Sequence, residues 1–327
     1  MKKSSLILYG VLLIALIIAP WIGVYPVFMM TVLCFALFAS AFNLLLGYTG
    51  LLSFGHAAFF GFSAYACAYV TRDLGLTPEF GLIAGLLTGA LLGWIFGVLA
   101  IRRLGIYFAM ITLGLAEMVH YFCLQAPFTG GEDGMQGIAR GKLLGLLSLD
   151  DDRVMYYFTL LVAAAAFALI VRTIHSPFGQ VLKGIKENEP RTLSLGYDVN
   201  RFKLLAFVIS AALTGLAGAL KAQVIHVASL TDVNWPTSGL VILMVLLGGV
   251  GTLSGPMIGA ALVVGLENKI GDLGNLLARL SGIDWFNTLG DNVPIVTGLI
   301  FVVCVLAFRR GIMGEAIALF ERRPPRR

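Results

Sequence analysis

Few side chains inside the apolar parts of this sequence could do chemistry. Glu117 and His120 stand three residues apart within one such run, where a carboxylate and an imidazole on one helix face could relay a proton or pair with each other. Lys221 is a lone amine near the end of another. Ser53 and His56 lie in GYTGLLSFGHAAFFG, residues 47–61, and on a helix Ser53, His56 and Phe60 would share a face.

Nucleotide and hydrolytic chemistry find no motif. The Gly141-Lys142 pair has Gln136 where a P-loop needs its first glycine and Leu143 where it needs Ser or Thr. The backbone and lysine therefore cannot surround a phosphate. Neither H-E-x-x-H nor G-x-S-x-G occurs. Cys34, Cys67, Cys123 and Cys304 have neither metal nor redox spacing. The chain is expected to bind no metal or cofactor and to catalyse no reaction.

The elements carrying these residues belong in a bilayer. Hydrophobic residues make up 58% of the sequence, charged residues only 13%, and mean hydropathy is +0.90, against about a quarter charged in soluble domains. Apolar runs near 6–24, 27–47, 51–70, 80–101, 104–124, 154–174, 204–225 and 291–308 are long enough to cross about 30 Å of hydrocarbon. They lack the period-two alternation of a barrel. An all-α polytopic membrane protein of about 8–10 helices follows, read as one domain over 1–327. Lys2 and Lys3 open the first run as they would a secretory leader, but no A-x-A site follows, so a retained span is expected.

With a cytoplasmic N-terminus, sixteen basic residues fall on the inner side, including Arg102, Arg172, Lys186, Arg201 and Arg327, and six on the outer side. This bias obeys the positive-inside rule. The balance of 23 basic against 18 acidic residues thus reads as topology rather than nucleic-acid binding. The stretch 238–266 is too long for one crossing and would strand the basic tail outside. It is expected to break near Gly248–Pro256 and return, or to cross twice as short helices, which leaves both termini cytoplasmic.

Glycines organise the interior. Gly81, Gly85, Gly89, Gly93 and Gly97 draw a smooth stripe along one helix face, open to a neighbour in the same chain or to another subunit. GYTGLLS (47–53) is echoed by GGVGTLS (248–254), as in transporters built from internal repeats. Freed backbone is tolerated at membrane depth only against protein or a cavity. Gly47, Gly50, Ser53, His56, Gly248, Gly249, Gly251 and Ser254 are therefore candidates for a solute pathway. Gly131, Gly134 and Gly137 are read as a flexible mouth loop.

On the basic side, residues 175–203 include a short amphipathic helix. Asn188 or Glu189 begins it, Pro190 fits its first turn and Gly196 its C-terminal cap. Leu193 and Leu195 stand among charges, fitted to a groove on another protein.

NLLLGYTGLLSFGHAAFFGFSAY (43–65), TGGEDGMQGI (129–138), SPFGQVLKGIKENEPRTLSLGYDVNRFKLLAFVISAALTGLAGAL (176–220) and GGVGTLSGPMIGAAL (248–262) resemble the permease subunits of branched-chain amino-acid ABC importers, of the LivM type. The resemblance implies a bacterial cytoplasmic-membrane permease working beside a second, homologous permease. It also implies two cytoplasmic ATPases that use ATP and Mg, and an extracytoplasmic binding protein. Residues 186–196 would be the coupling helix, with Glu187, Asn188, Glu189, Pro190, Arg191, Leu195 and Gly196 facing the ATPase. The usual Glu-Ala-Ala signature is replaced by Glu189-Pro190-Arg191. The resemblance leaves open urea or another small polar solute, and the broken-helix pattern by itself also fits an ion-coupled carrier or channel.

Overall fold

The computed structural model describes residues 16–23, 25–103, 105–143, 145, 147–281, 298–299, 302 and 311–315. The first expected span lies mostly outside these residues, as do nearly all of the last span and both termini.

Helices α1 Pro26–Thr49, α2 His56–Ala68, α3 Pro78–Ala100, α4 Ile106–Gln125, α5 Asp152–His175, α6 Pro177–Glu187, α7 Glu189–Ser194, α8 Val199–Ile225, α9 Trp235–Gly248 and α10 Gly255–Ser281 form the bundle. Proline stands in the first turn of α1, α3, α6, α7 and α9, where its missing N–H costs nothing. Five helices among the described residues (α1, α3, α4, α5 and α8) are long and apolar enough to cross a bilayer. The protein is an all-α polytopic membrane protein.

The apolar windows of α1 and α8 are 78% and 72% buried, while α3, α4 and α5 bury 33%, 28% and 39% of theirs. Thus α1 and α8 form the centre, as helices that are hydrophobic all round should. The glycine stripe of α3 packs on α8 of the same chain. A Cβ at Gly89 would lie 2.6 Å from the Ala211 carbonyl oxygen and 3.0 Å from Gly215 Cα.

Two ends can be distinguished. At one, β1 Met135–Gln136 pairs antiparallel with β4 Val227–Ala228, and β2 Lys142–Leu143 pairs with β3 Leu147–Ser148. Buried Arg140 donates to the carbonyls of Gln223 and Val224 at the end of α8 and pairs with Asp152 at 2.6 Å. The expected flexible mouth loop is instead pinned: Gly131, Gly134 and Gly137 all take positive φ, and Gly134 abuts the Ala228 backbone that β1 pairs with. The opposite end carries α6 and α7.

Three boundaries differ from expectation. The span predicted over 51–70 is not helical before His56, because Gly50 adopts φ +77° and ends α1; α2 then continues into a π-helix, Tyr69–Asp73. The break at Gly248–Pro256 is present, but α10 runs on to Ser281, well past the end of the apolar stretch at 266. The coupling helix that the resemblance implies over 186–196 is divided between α6 and α7, while the helix read from the residues as beginning at Asn188 or Glu189 is α7 itself. Lys186 and Glu187 belong to α6, Asn188 is extended at φ −157°, and α7 starts beyond it. Pro190 has no N–H to continue the ladder of α6.

Candidate functional site

The first break occupies residues 50–55, between α1 and α2. Its backbone lies inside the bundle and borrows partners from side chains, as depth in a membrane requires. Thr112 Oγ1 on α4 accepts from the Phe54 amide at 3.2 Å, and Ser53 Oγ from the Gly55 amide at 3.1 Å. Ser238 Oγ on α9 accepts from the Ala57 amide at 2.8 Å and donates to the Phe54 carbonyl at 2.7 Å. Ser53 therefore serves its own turn and precedes the helix, so it does not share a helical face with His56 and Phe60 as the 3- and 4-residue spacing suggested.

His56 opens α2 and is fully buried. Its Nε2 lies 2.9 Å from Ser210 Oγ, which donates to the Ala41 carbonyl. Phe42, Phe59 and Phe207 meet the imidazole edge-on. The ring joins α1, α2 and α8 from within an aromatic box.

The second break, 249–254, turns α9 into α10. Gly249 has φ +120° and Gly251 φ +77°, the latter equal to the Gly50 value with which the sequence echo aligns it. Gly248 and Gly259 let the two helices meet backbone to backbone. Thr252 Oγ1 donates to the Gly249 carbonyl and accepts from the Gly255 amide, closing the turn beside the nearly buried Ser254.

The two breaks touch. Asn43 on α1 accepts from the Gly251 amide at 2.9 Å and donates to the Thr252 carbonyl at 2.9 Å. A Cβ on Gly47 would fall 2.8 Å from the Gly251 nitrogen, so only glycine permits this crossing. Of the candidate pathway residues, Gly47, Gly50 and Gly251 converge with Lys186 at the end carrying α6 and α7, while Ser53 and His56 lie apart from it. A cavity of about 210 Å³ between α1 and α5, lined by Leu33, Ala36, Leu160, Ala163 and Met257 among others, contains none of the eight.

In the loop, Asn188 caps α7 by accepting from the Arg191 amide at 3.1 Å, and Gly196 takes φ +88° just beyond Leu195. Thr192 turns inward, whereas Leu193 and Leu195 are 62% and 70% exposed. Beneath them Lys203, 2% exposed, pairs with Glu189 at 2.7 Å. Phe178 of α6 stacks on Phe202 of α8, and Leu182, Ile185, Val199 and Ala206 form a small core. The loop is thus a packed platform with an apolar tip.

The ionisable residues inside the spans divide. Lys221 pairs with Asp232 at 2.5 Å and stands over Phe35 and Phe60. Glu117 makes no ion pair with His120, and its Oε1 is without a partner among the described residues. Sequence reasoning missed Asn43, Thr112, Ser210 and Ser238. The available signal was their polarity within otherwise apolar runs.

Residues 27–306 match the model of the family described as branched-chain amino acid transport system / permease component. This chain belongs to that family. Among its relatives, the high-affinity branched-chain amino acid transport system permease protein LivM of Escherichia coli K12 is 32% identical, over 68% of this chain and 58% of its own length. The probable LivM of Methanocaldococcus jannaschii is 26% identical, over 60% and 59%. The ribose import permease protein RbsC of Haemophilus influenzae is 26% identical, over 57% and 58%. The chain therefore spans less than two thirds of the length of these relatives.

Proposed function

We propose that this chain is the membrane-spanning permease of an ATP-driven importer of branched-chain amino acids in the bacterial cytoplasmic membrane. In this reading a second, homologous permease completes the pathway, two ATPase subunits bind on the α6–α7 side, and a solute-binding protein docks on the side of β1–β4. The ATPases use ATP and Mg; this chain moves solute without catalysing a reaction. Both termini lie in the cytoplasm.

The observation that carries the reading is the family match over 27–306, and relatives named for branched-chain amino acid transport support the solute class. The exposed tip at Leu193, Leu195 and Gly196 supports the ATPase contact, with Glu187, Asn188, Glu189, Pro190 and Arg191 shaping it. The pathway runs beside the broken segments 50–55 and 249–254, where backbone is free of the helical ladder.

The test is to purify the chain with the products of its neighbouring genes and measure ATP-dependent uptake in proteoliposomes of leucine, isoleucine, valine, ribose and urea. Uptake of the branched-chain solutes alone is expected; uptake of ribose or urea alone would reassign the solute. Leu195→Asp should release the ATPase from the purified complex while the chain stays in the membrane, because it sets a carboxylate into an apolar contact. Undiminished association would refute the docking assignment.

A further inference from the structure

The break crossing and the loop platform are joined by a side chain outside the candidate set. Lys186, in the last turn of α6, donates from Nζ to the Gly47 carbonyl at 2.7 Å. The same Nζ lies 3.9 Å from the position of a Cβ on Gly251, and Lys186 Cγ lies 3.4 Å from that of a Cβ on Gly50. One lysine thus lies against both breaks.

Its acceptor is suited to a cation. The Gly47 carbonyl is among the last four of α1, which lack partners within the helix, and it sits at the negative end of the helix dipole. Its neighbours are already served: Leu46 accepts from the Gly50 amide and Leu45 from Thr49 Oγ1. Lys183, one turn earlier on α6, places its Nζ 5.8 Å from the centre of the Tyr48 ring, so α6 holds the end of α1 at two points. From the far side Asn43 fastens α1 to Gly251 and Thr252. The Glu189–Lys203 pair fixes α7 to α8, keeping the exposed tip in register with this assembly.

The geometry points to Lys186 as the positioning residue that couples the loop helices to the crossing of the two glycine breaks. The last turn of α1, helix α6 and the 249–252 turn then move as one body. A displacement applied at α7 reaches α9 and α10 through α6 and the Gly47 carbonyl. This inference rests on the reading of α7 as the ATPase-facing tip.

The test uses the complete importer in proteoliposomes, with ATP hydrolysed and solute taken up measured in the same sample. Lys186→Met keeps the stem and removes the donor. Its ATPase should co-purify and turn over as in the unmodified complex, while solute moved per ATP falls about tenfold, within the usual span of coupling between linked sites. Lys186→Arg, which restores a cationic donor, should recover much of the ratio. A residue that merely supported folding would lower hydrolysis and uptake together, and an unchanged ratio overturns the inference.

A second arm leaves Lys186 intact and decides the matter even if Lys186→Met fails to assemble. Cysteines at positions 183 and 48 are joined by a short bis-maleimide. A single rigid body tolerates the tether and uptake persists; loss of uptake on cross-linking overturns the proposal. An unmodified complex without ATP-driven uptake would refute the importer reading, and this inference with it. An unmodified complex that transports, beside a Lys186→Met complex that stays coupled, refutes this inference alone.

Discussion

Asn43 has the most consequential single contact set in the crossing, since its amide satisfies one donor and one acceptor of a turn more than two hundred residues away. Asn43→Leu would leave both the Gly251 amide and the Thr252 carbonyl without that partner. At about 1–3 kcal/mol for each orphaned group, a loss of roughly 2–6 kcal/mol is expected, read as a lowered unfolding midpoint of the purified chain in detergent. His56 makes a contrasting case. Ser210 already has the Ala41 carbonyl as its acceptor, so His56→Leu removes one hydrogen bond and strands no group on the protein. It should cost only about 1 kcal/mol and leave the KM for solute unchanged; a raised KM at unchanged stability would give His56 a part in the pathway.

Among the elements, α3 shows most directly how spacing becomes packing. The four-residue glycine interval was legible because a period near 3.6 keeps one face aligned, and that face meets α8. Gly89→Leu would drive a side chain into the Ala211 carbonyl and the Gly215 backbone. Overpacking of this kind costs about 1–3 kcal/mol or more, and the expected readout is reduced folded yield in the membrane; normal yield would contradict the contact. The short helix of the loop was legible in its caps, Asn188 and Gly196, because capping is local chemistry. Its start at Asn188 or Glu189 was legible too, and only the wider range 186–196 implied by the resemblance ran back into α6. The start of α2 was hidden. The glycines marked freed backbone there, but LLSFG is apolar enough for a span, and only the partners on α4 and α9 show where the unwound stretch ends. Hydrophobicity reports where a segment lives more reliably than how its backbone is satisfied.

Across the whole molecule, basic residues sort to opposite ends. Arg102 lies by Asn200 and Arg201 near the loop helices, while Arg72 reaches the Gln136 carbonyl and Arg153 stands over Trp21 at the other end. Cysteine replacing Lys142 should therefore react with an impermeant maleimide in intact cells, and cysteine replacing Arg102 only after permeabilisation; the reverse pattern would invert the topology. The meeting of the two breaks also has a bearing on biosynthesis. Asn43 and Gly47 are inserted long before Gly251 and Thr252 leave the ribosome, so through most of translation the end of α1 carries a polar notch with its eventual partner still unmade. A nascent chain halted before α9 would hold that notch open, together with the Phe54 carbonyl that Ser238 later covers. Such a halted chain is a natural substrate for membrane quality control. Chains truncated after residue 233 should be degraded faster than the full-length protein, and pulse-chase decay at equal rates would show that the crossing does not guard the finished fold.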